Sequence, residues 1–588
     1  MMGSNRSVSR LLASGLLVAG VACGSDGPTA RGLGPPALVR IVPNPVTVLV
    51  SGSIQLAAVV QDASGRTIPG VPVSWSVADS ATATVTPAGR LTGRAVGSTT
   101  VTAAAGAVSG QAAVTVTAVS PTTLHPDLVT YLGGALLDVA RDVSGDAAGN
   151  VVLGGSTESP NFPTTQGSYD PTFNTGGTNL MDGWLVKLTP GGSEAWGTFL
   201  GGPNFERIYA LELDAQGAVY VAGRAGAGFP VTAGAFQTAF AGGPPSPAYG
   251  QQDGFVCKMA ADGASRVWCS YFGVADGGIL RDIAVDANGD VYVAGGTSLG
   301  GFPAAWFSNA YQPAKKAGED VIVAKIKGDG SQVLWATYLG GSGDEGAGPV
   351  VRVDPQGNVI VLTTTTSTDL PTVNAAQPSP GGGSDLYLFK LDPTGHALIY
   401  ATYLGGSGTE GNETHELAVD AQGNAVVAIG STSTNIATTA GAYQPSFGGG
   451  PRDIVVWKIS PAGAKLACTY LGGSGAEGGV EGVATDPLGN VYLAVTSSST
   501  NYPVTAPGAP ARGFDAIPTV LSADLTQLLF AQRFGGSGDE QTRSAAVDSQ
   551  GRFYVVGQTP STDLGTLNAP QPGFGGGGSD AFLIRLVP

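Results

Sequence analysis

After residue 119 the chain repeats three marks, always in the same order, and this repetition limits the fold more than any other feature. The first mark is an aromatic residue leading into Leu-Gly-Gly or a close variant, at Tyr131, Phe199, Tyr271, Tyr338, Tyr403, Tyr470 and Phe534. The second is an Asp-x-x-Gly turn opening at Asp146, Asp214, Asp286, Asp354, Asp420, Asp486 and Asp548. The third is Asp-x4-Lys, at Asp182/Lys187, Asp253/Lys258, Asp320/Lys325, Asp385/Lys390 and Asp453/Lys458, with Arg585 following Asp580. The sixth copy is degenerate, with Val520 five residues after Asp515. Each unit supplies four short strands; in the third they are expected over 282–286, 290–294, 319–326 and 332–338. The glycine of the Asp-x-x-Gly turn permits the tight hairpin between the first two.

Four-stranded units arranged radially form a propeller. The register of the ends points the same way. The region opens with a lone fourth strand over 128–132 and ends with a third strand over 580–587. Together they complete a seventh blade, and that joint removes the exposed edges. Over residues 128–588 the unit resembles the SBBP β-propeller repeat family. The resemblance implies an all-β, seven-bladed propeller with 1+3 strand closure and carries no single activity.

Residues 38–118 carry a different pattern. Alternating β-branched strands, the Trp75 strand, the segment ATVTPAGRLTG (83–93) and GSTTVTA (97–103) indicate a small β-sandwich. These residues resemble the group-2 bacterial Ig-like family, with Trp75 as a core anchor, which implies a spacer or adhesion module. Before it, residues 23–37 read as a flexible tether. Arg6 and Arg10 precede an apolar run over 11–22, which suits a signal peptide and is too short to span a bilayer. The run ends Gly-Val-Ala-Cys, which resembles the bacterial lipoprotein box. That resemblance implies a lipidated Cys23 and a location at the outer membrane or cell surface, although Gly20 stands where the family has Leu.

A net charge of −16 excludes nucleic acid as a natural partner, and three histidines leave little for a multi-His metal centre. An acidic residue recurs seven positions after the aromatic, at Asp138, Glu206, Glu345, Glu410 and Glu477, and is expected near the channel mouth. Such carboxylates invite a cation, calcium being the candidate, or bond to nearby backbone N–H groups. Asp286-x-Asn288-x-Asp290 looks like a calcium loop but lacks its Gly and Glu and reads as a hairpin. Cys257 and Cys269 lie on adjoining strands as candidate diagonal neighbours for a disulfide; Cys468 reads as a buried thiol. The long loops between second and third strands carry Phe162, Phe229, Phe302, Tyr502, Tyr169, Phe236, Tyr311 and Tyr443, which pack the loops or touch a ligand. The expectation is a noncatalytic, monomeric surface lipoprotein whose long-loop face binds a glycan or protein. Two alternatives stay open: an extracellular hydrolase or lyase with a carboxylate or metal site at the propeller mouth, and a structural envelope component.

Overall fold

A computed structural model describes residues 33–588 apart from 51, 147, 175–179, 276–277, 347 and 412–414. The leader and Cys23 lie outside the described residues. Among the described residues there is no α-helix, only two 3-10 turns at Pro121–Thr123 and Ala304–Phe307. No helix there is long and apolar enough to cross a membrane.

The chain divides into two compact units. In the N-terminal, Ig-like unit, Pro36–Val42 pairs antiparallel with Ala57–Asp62, and Ser74–Val77 pairs antiparallel with Gly97–Ala105. Trp75 is half-buried rather than fully enclosed. Its indole lies against Gly89, whose φ is +82° and where a Cβ would come within 3.0 Å of the ring.

The second unit contains seven sheets, each with four successive strand positions. Blade 1 is Asp138–Gly145, Val151–Thr157, Asp182–Leu188 and Glu194–Leu200. Blade 2 is Arg207–Leu213, Val219–Ala225, Asp253–Met259 and Arg266–Phe272. Blade 3 is Ile279–Val285, Val291–Thr297, Asp320–Ile326 and Val333–Leu339, close to the expected ranges. Blades 4, 5 and 6 repeat the order, and in blade 5 the first position is split into Glu410–Gly411 and Leu417–Val419. Blade 7 is Gln541–Val547, Phe553–Thr559 and Asp580–Val587, completed by His125–Leu132. That strand pairs antiparallel with Asp580–Val587, with Tyr131 opposite Phe582. The first strand of each blade neighbours the first strand of the next, and that of blade 7 neighbours blade 1, so the series closes. Second strands such as Val151–Thr157 and Val291–Thr297 are buried at every residue, because apolar clusters cover both faces of each sheet.

The three sequence marks hold this frame together. In each Asp-x-x-Gly turn the glycine sits at positive φ, from +76° at Gly551 to +90° at Gly149, which the hairpin requires. The aspartate caps the turn: Asp286 accepts from the Asn288 and Asp290 backbone N–H groups at 2.9 and 3.0 Å. It also takes the third-strand lysine. Lys187 reaches Asp146 at 3.3 Å, Lys258 reaches Asp214 at 3.2 Å and Lys390 reaches Asp354 at 2.6 Å. The Asp-x4-Lys mark is therefore two contacts at opposite ends of one strand rather than one pair. In degenerate blade 6 the Asn490 amide donates to Asp486 at 2.7 Å, and Asp515 pairs with Arg533 at 2.7 Å.

The aspartate of Asp-x4-Lys packs over the first glycine of the Leu-Gly-Gly mark. A Cβ at Gly340 would lie 2.2 Å from Asp320 Oδ1, and one at Gly535 would lie 2.0 Å from Asp515 Oδ1, so only glycine fits. The preceding tyrosine ties fourth strand to loop. The Tyr470 hydroxyl donates to Ser433 O at 2.8 Å and accepts from Ile436 N at 2.9 Å, and Tyr131, Tyr271 and Tyr403 repeat the arrangement.

Candidate functional site

The recurring acids do not stand in solvent at the mouth. Asp138, Glu206, Glu345, Glu410 and Glu477 have 0% exposure. Each accepts a backbone N–H from the Gly-Gly segment four residues earlier, at Gly134, Gly202, Gly341, Gly406 and Gly473. Most also accept hydroxyls from the end of the second strand: Asp138 from Thr157 and Ser159, Glu410 from Ser431 and Ser433, Glu477 from Ser497 and Ser499. Burial pushes Asp138 up to about 6, Glu206 to about 8 and Glu477 to about 7. Among the described residues, no three His, Cys, Asp or Glu side chains gather as a metal site. Of the two readings given for these acids, a cation site or bonds to nearby backbone N–H groups, the structure shows such bonds at all five.

The unrepeated chemistry lies elsewhere, at the position five residues before each turn aspartate. Around the ring it holds Arg141, Tyr209, Arg281, Pro349, His415, Glu481 and Arg543. Blades 7, 1, 2 and 3 thus present a continuous basic and aromatic arc. Tyr209, 3% exposed, is its centre. The guanidinium carbons of Arg281, Arg224, Arg141 and Arg207 lie 4.6, 5.6, 5.7 and 5.8 Å from its ring centroid. Arg207 begins the first strand of blade 2 and Arg224 lies directly opposite on the second. Like charges facing each other in a ladder are unfavourable, and here both guanidiniums lie against the rings of Phe205 and Tyr249. Arg224 lies 3.7 Å from the Tyr249 centroid, and Phe205 and Tyr249 are 4.9 Å apart. Among the described residues none of these four arginines has a carboxylate within ion-pair distance, and the Nε of each is buried without a hydrogen-bond partner. Burial alone would raise the Tyr209 phenol, but Arg281, Arg224, Arg207 and Arg141 outweigh it and hold it at about 8. Burial, with Arg543 and Arg207 adding repulsion, pulls Arg141 down. In a chain of net charge −16, this is a concentrated, uncompensated positive site.

His415 forms a floor beneath it. The residue is 2% exposed, stands at φ +66° and spans from blade 5 to blade 2, where Nε2 donates to the Tyr209 carbonyl at 3.0 Å. A carbonyl only accepts, so Nε2 carries the hydrogen. Nδ1 faces Asp282 Oδ1 at 3.8 Å and Asp142 Oδ2 at 3.9 Å. Both carboxylates are fixed: Asp142 accepts from Leu211 N at 2.7 Å and Ser544 Oγ at 2.6 Å, and Asp282 from Val351 N at 2.8 Å and the Arg352 guanidinium. Beyond them a cavity of about 340 Å³ opens along the channel, lined by Glu212, Arg352 and Thr485 among others. Burial pushes Glu212 up to about 7.

The loop aromatics pack rather than project. Phe162, Phe229, Phe302 and Tyr502 are buried, while Tyr169, Phe236, Tyr311 and Tyr443 are half-buried against core clusters. Cys257 and Cys269 are bonded, and they face each other directly rather than diagonally. Cys468 is a buried free thiol opposite Trp457, and burial pushes it up to about 12. The sequence reading missed the Tyr209 cluster because it searched for what recurs; the available signal was the position five residues before each turn aspartate, which is not held constant from copy to copy.

No curated protein matches the chain. Among solved structures of similar fold is a PL25 ulvan lyase bound to -[GlcA(1-4)Rha3S]-, at 10% identity and TM-score 0.40, covering 75% of this chain and 93% of that one. The polysaccharide lyase Uly1 matches at 9% identity and TM-score 0.37, covering 78% of this chain and 92% of the other. BamB from Moraxella catarrhalis matches at 13% identity and TM-score 0.31, covering 83% and 90%. The expectation of a noncatalytic platform is withdrawn, because the Tyr209 cluster is an unrepeated group of buried polar side chains of the kind that catalysis needs. Residues 37–116 match the bacterial Ig-like domain (group 2) family.

Proposed function

We propose that the long-loop mouth of the propeller is the active site of an exported enzyme that cleaves an anionic, uronate-bearing polysaccharide by β-elimination. One observation carries this reading: a buried tyrosine, held near 8, beside four arginines that have no carboxylate within ion-pair distance among the described residues. Uncompensated guanidiniums favour a carboxylate-bearing ligand, since Arg pairs bidentately with that group. With the uronate carboxylate neutralised, its α-hydrogen becomes acidic. The Tyr209 phenolate takes that proton as the C5–H bond breaks. The electron pair forms the C4=C5 double bond, the C4–O bond breaks, and the departing glycosidic oxygen receives the proton from Tyr209. Atoms and charge balance without a cofactor, and the arginines stabilise the enolate-like charge. A hydrolase would need two carboxyl groups flanking the bond, whereas the acids near the mouth are buried in framework contacts or, as with Glu481 and Arg543 at 2.6 Å, paired. Export and a lipid anchor at Cys23 belong to the same proposal; the Cys257–Cys269 disulfide suits an oxidising compartment.

The test is incubation with uronate-containing and neutral polysaccharides, reading the ultraviolet absorbance of the unsaturated product. Signal with the uronate polymers alone supports elimination. Reducing ends released without that absorbance overturn it in favour of hydrolysis. Because the phenol is lowered rather than raised, kcat/KM should climb with pH through an apparent pKa near 8.

His415 acts as a positioning residue. His415→Gln keeps a donor toward the Tyr209 carbonyl, whereas His415→Ala removes it. The expected result is that His415→Ala lowers kcat by about 10-fold or more with KM little changed, and that His415→Gln recovers part of the loss. Equal losses in the two variants would show that the Nε2 bond is not what matters.

A further inference from the structure

The buried acids come in pairs, and the pairs sit where blades meet. Asp580 of blade 7 faces Asp138 of blade 1; Asp182 faces Glu206; Asp320 faces Glu345; Asp385 faces Glu410; Asp453 faces Glu477; Asp515 faces Glu540. In every pair the aspartate begins a third strand, and its partner begins the next blade's first strand or lies up to five residues before it. At the junction of blades 2 and 3, Gly278 stands where the second acid would be.

The Asp453–Glu477 pair shows what is missing. Asp453 Oδ2 accepts from Gly448 N and Gln444 Nε2, and Glu477 Oε1 accepts from Gly473 N, Ser497 Oγ and Ser499 Oγ. Asp453 Oδ1 and Glu477 Oε2 are both buried with no partner. They converge on one point: a Cβ at Gly472 would lie 2.5 Å from the first and 2.8 Å from the second. Oδ1 of Asp182, Asp385, Asp515 and Asp580 is likewise buried without a hydrogen-bond partner, and that of Asp320 has only Lys315 Nζ, at 4.0 Å. Two bare anionic oxygens cannot stay together in a dry site. Calcium needs six or more oxygens, and here only two are free. A proton between them suffices.

We propose that the Asp453–Glu477 pair shares one proton, as do the Asp580–Asp138 and Asp385–Glu410 pairs, whose oxygens converge in the same way over Gly133 and Gly405, so that protonation clamps consecutive blades, including the joint that closes the ring. The sign follows. A carboxyl held above its unfolded value contributes stability that is complete below about pH 4 and is lost as pH rises through the folded value. The Asp453, Glu477 and Asp580 values are all raised, by burial first, so the window runs from about pH 4 to about pH 8. The titratable groups facing the Asp453–Glu477 pair are the phenols of Tyr470 and Tyr502, both pushed up by burial and neutral throughout.

The test needs no substrate. In about 0.5 M salt, to screen the net charge, the Tm of the intact protein should fall by several degrees from about pH 5 to about pH 8.5. Asp453→Asn, whose amide donates permanently to Glu477 Oε2, should make that slope shallower by the share of one pair, while the exposed Asp329→Asn should leave it unchanged. Infrared spectra of the wild-type protein at neutral pH should show the C=O stretch of protonated carboxyls, lost at alkaline pH, which serves even if the variant does not fold. A Tm that holds or rises with pH, or no protonated-carboxyl band, would overturn the proposal. So would chelator lowering the Tm at fixed pH and calcium restoring it, since a cation would then occupy the gap.

Discussion

Tyr209→Phe should lose about 10²–10⁴ of kcat/KM toward a uronate polymer, the usual range for removing a general acid–base group. The ring stays, so its contacts with Arg141, Arg207, Arg224 and Arg281 are kept and polymer binding should persist. The loss should therefore fall on kcat, with KM close to that of the parent protein. The arginines divide their effects differently. Arg281→Lys keeps the charge but not the planar fork and should raise KM, because bidentate recognition of a carboxylate is lost. It should also move the rising limb of the pH profile upward, since Arg281 is the largest of the cationic influences holding the phenol near 8. A Tyr209→Phe protein with full activity would end the proposed mechanism, whatever the polymer.

Removing residues 125–132 should unfold the propeller or leave it aggregating, the largest stability effect expected from any short segment. The strand His125–Leu132 is the fourth of blade 7, and Leu128, Val129, Tyr131 and Leu132 are each no more than 2% exposed. Burying side chains of this kind contributes about 1.5–3 kcal/mol apiece. Its backbone covers an edge that would otherwise offer Asp580–Val587 to another chain. The Tyr131 hydroxyl, bonded to Ser561 O and Leu564 N, also fastens the loop of blade 7. The check is peptide complementation. A synthetic peptide of residues 125–132 added to the shortened protein should restore monomeric behaviour and part of the lost Tm. No recovery at high peptide concentration, with the shortened protein already folded, would show that closure contributes little.

The frame was legible because it recurs. Seven turn aspartates with their glycines, seven aromatics and the offset between the first and last strands place every blade, and the structure departs by only a few residues at strand ends. Contact partners were less legible. Spacing along the chain paired Asp320 with Lys325, but in a strand these residues reach different neighbours: Lys325 turns to Asp286 at 3.2 Å, while Asp320 meets the glycine of the fourth strand. The hydroxyl partners of the recurring acids were not legible, because these Ser and Thr residues come from the end of a separate strand. The Tyr209 cluster was hardest. Its members come from two strands and a loop of blade 2 and from blades 1 and 3, and they are separated by up to 140 positions between Arg141 and Arg281. Only the closed ring brings them to one point.

The separation between repeated and unrepeated positions has an engineering consequence. Turn caps, glycine contacts and blade-junction acids carry the architecture, while one variable lining position per blade, from Arg141 round to Arg543, joined in blade 2 by Arg207 and Arg224, carries the chemistry. Seven slots can thus be rewritten almost independently of foldability. A descendant of the same scaffold can exchange a cationic lining for an acidic or neutral one, and with it the class of polymer it accepts, without renegotiating how the disc is assembled.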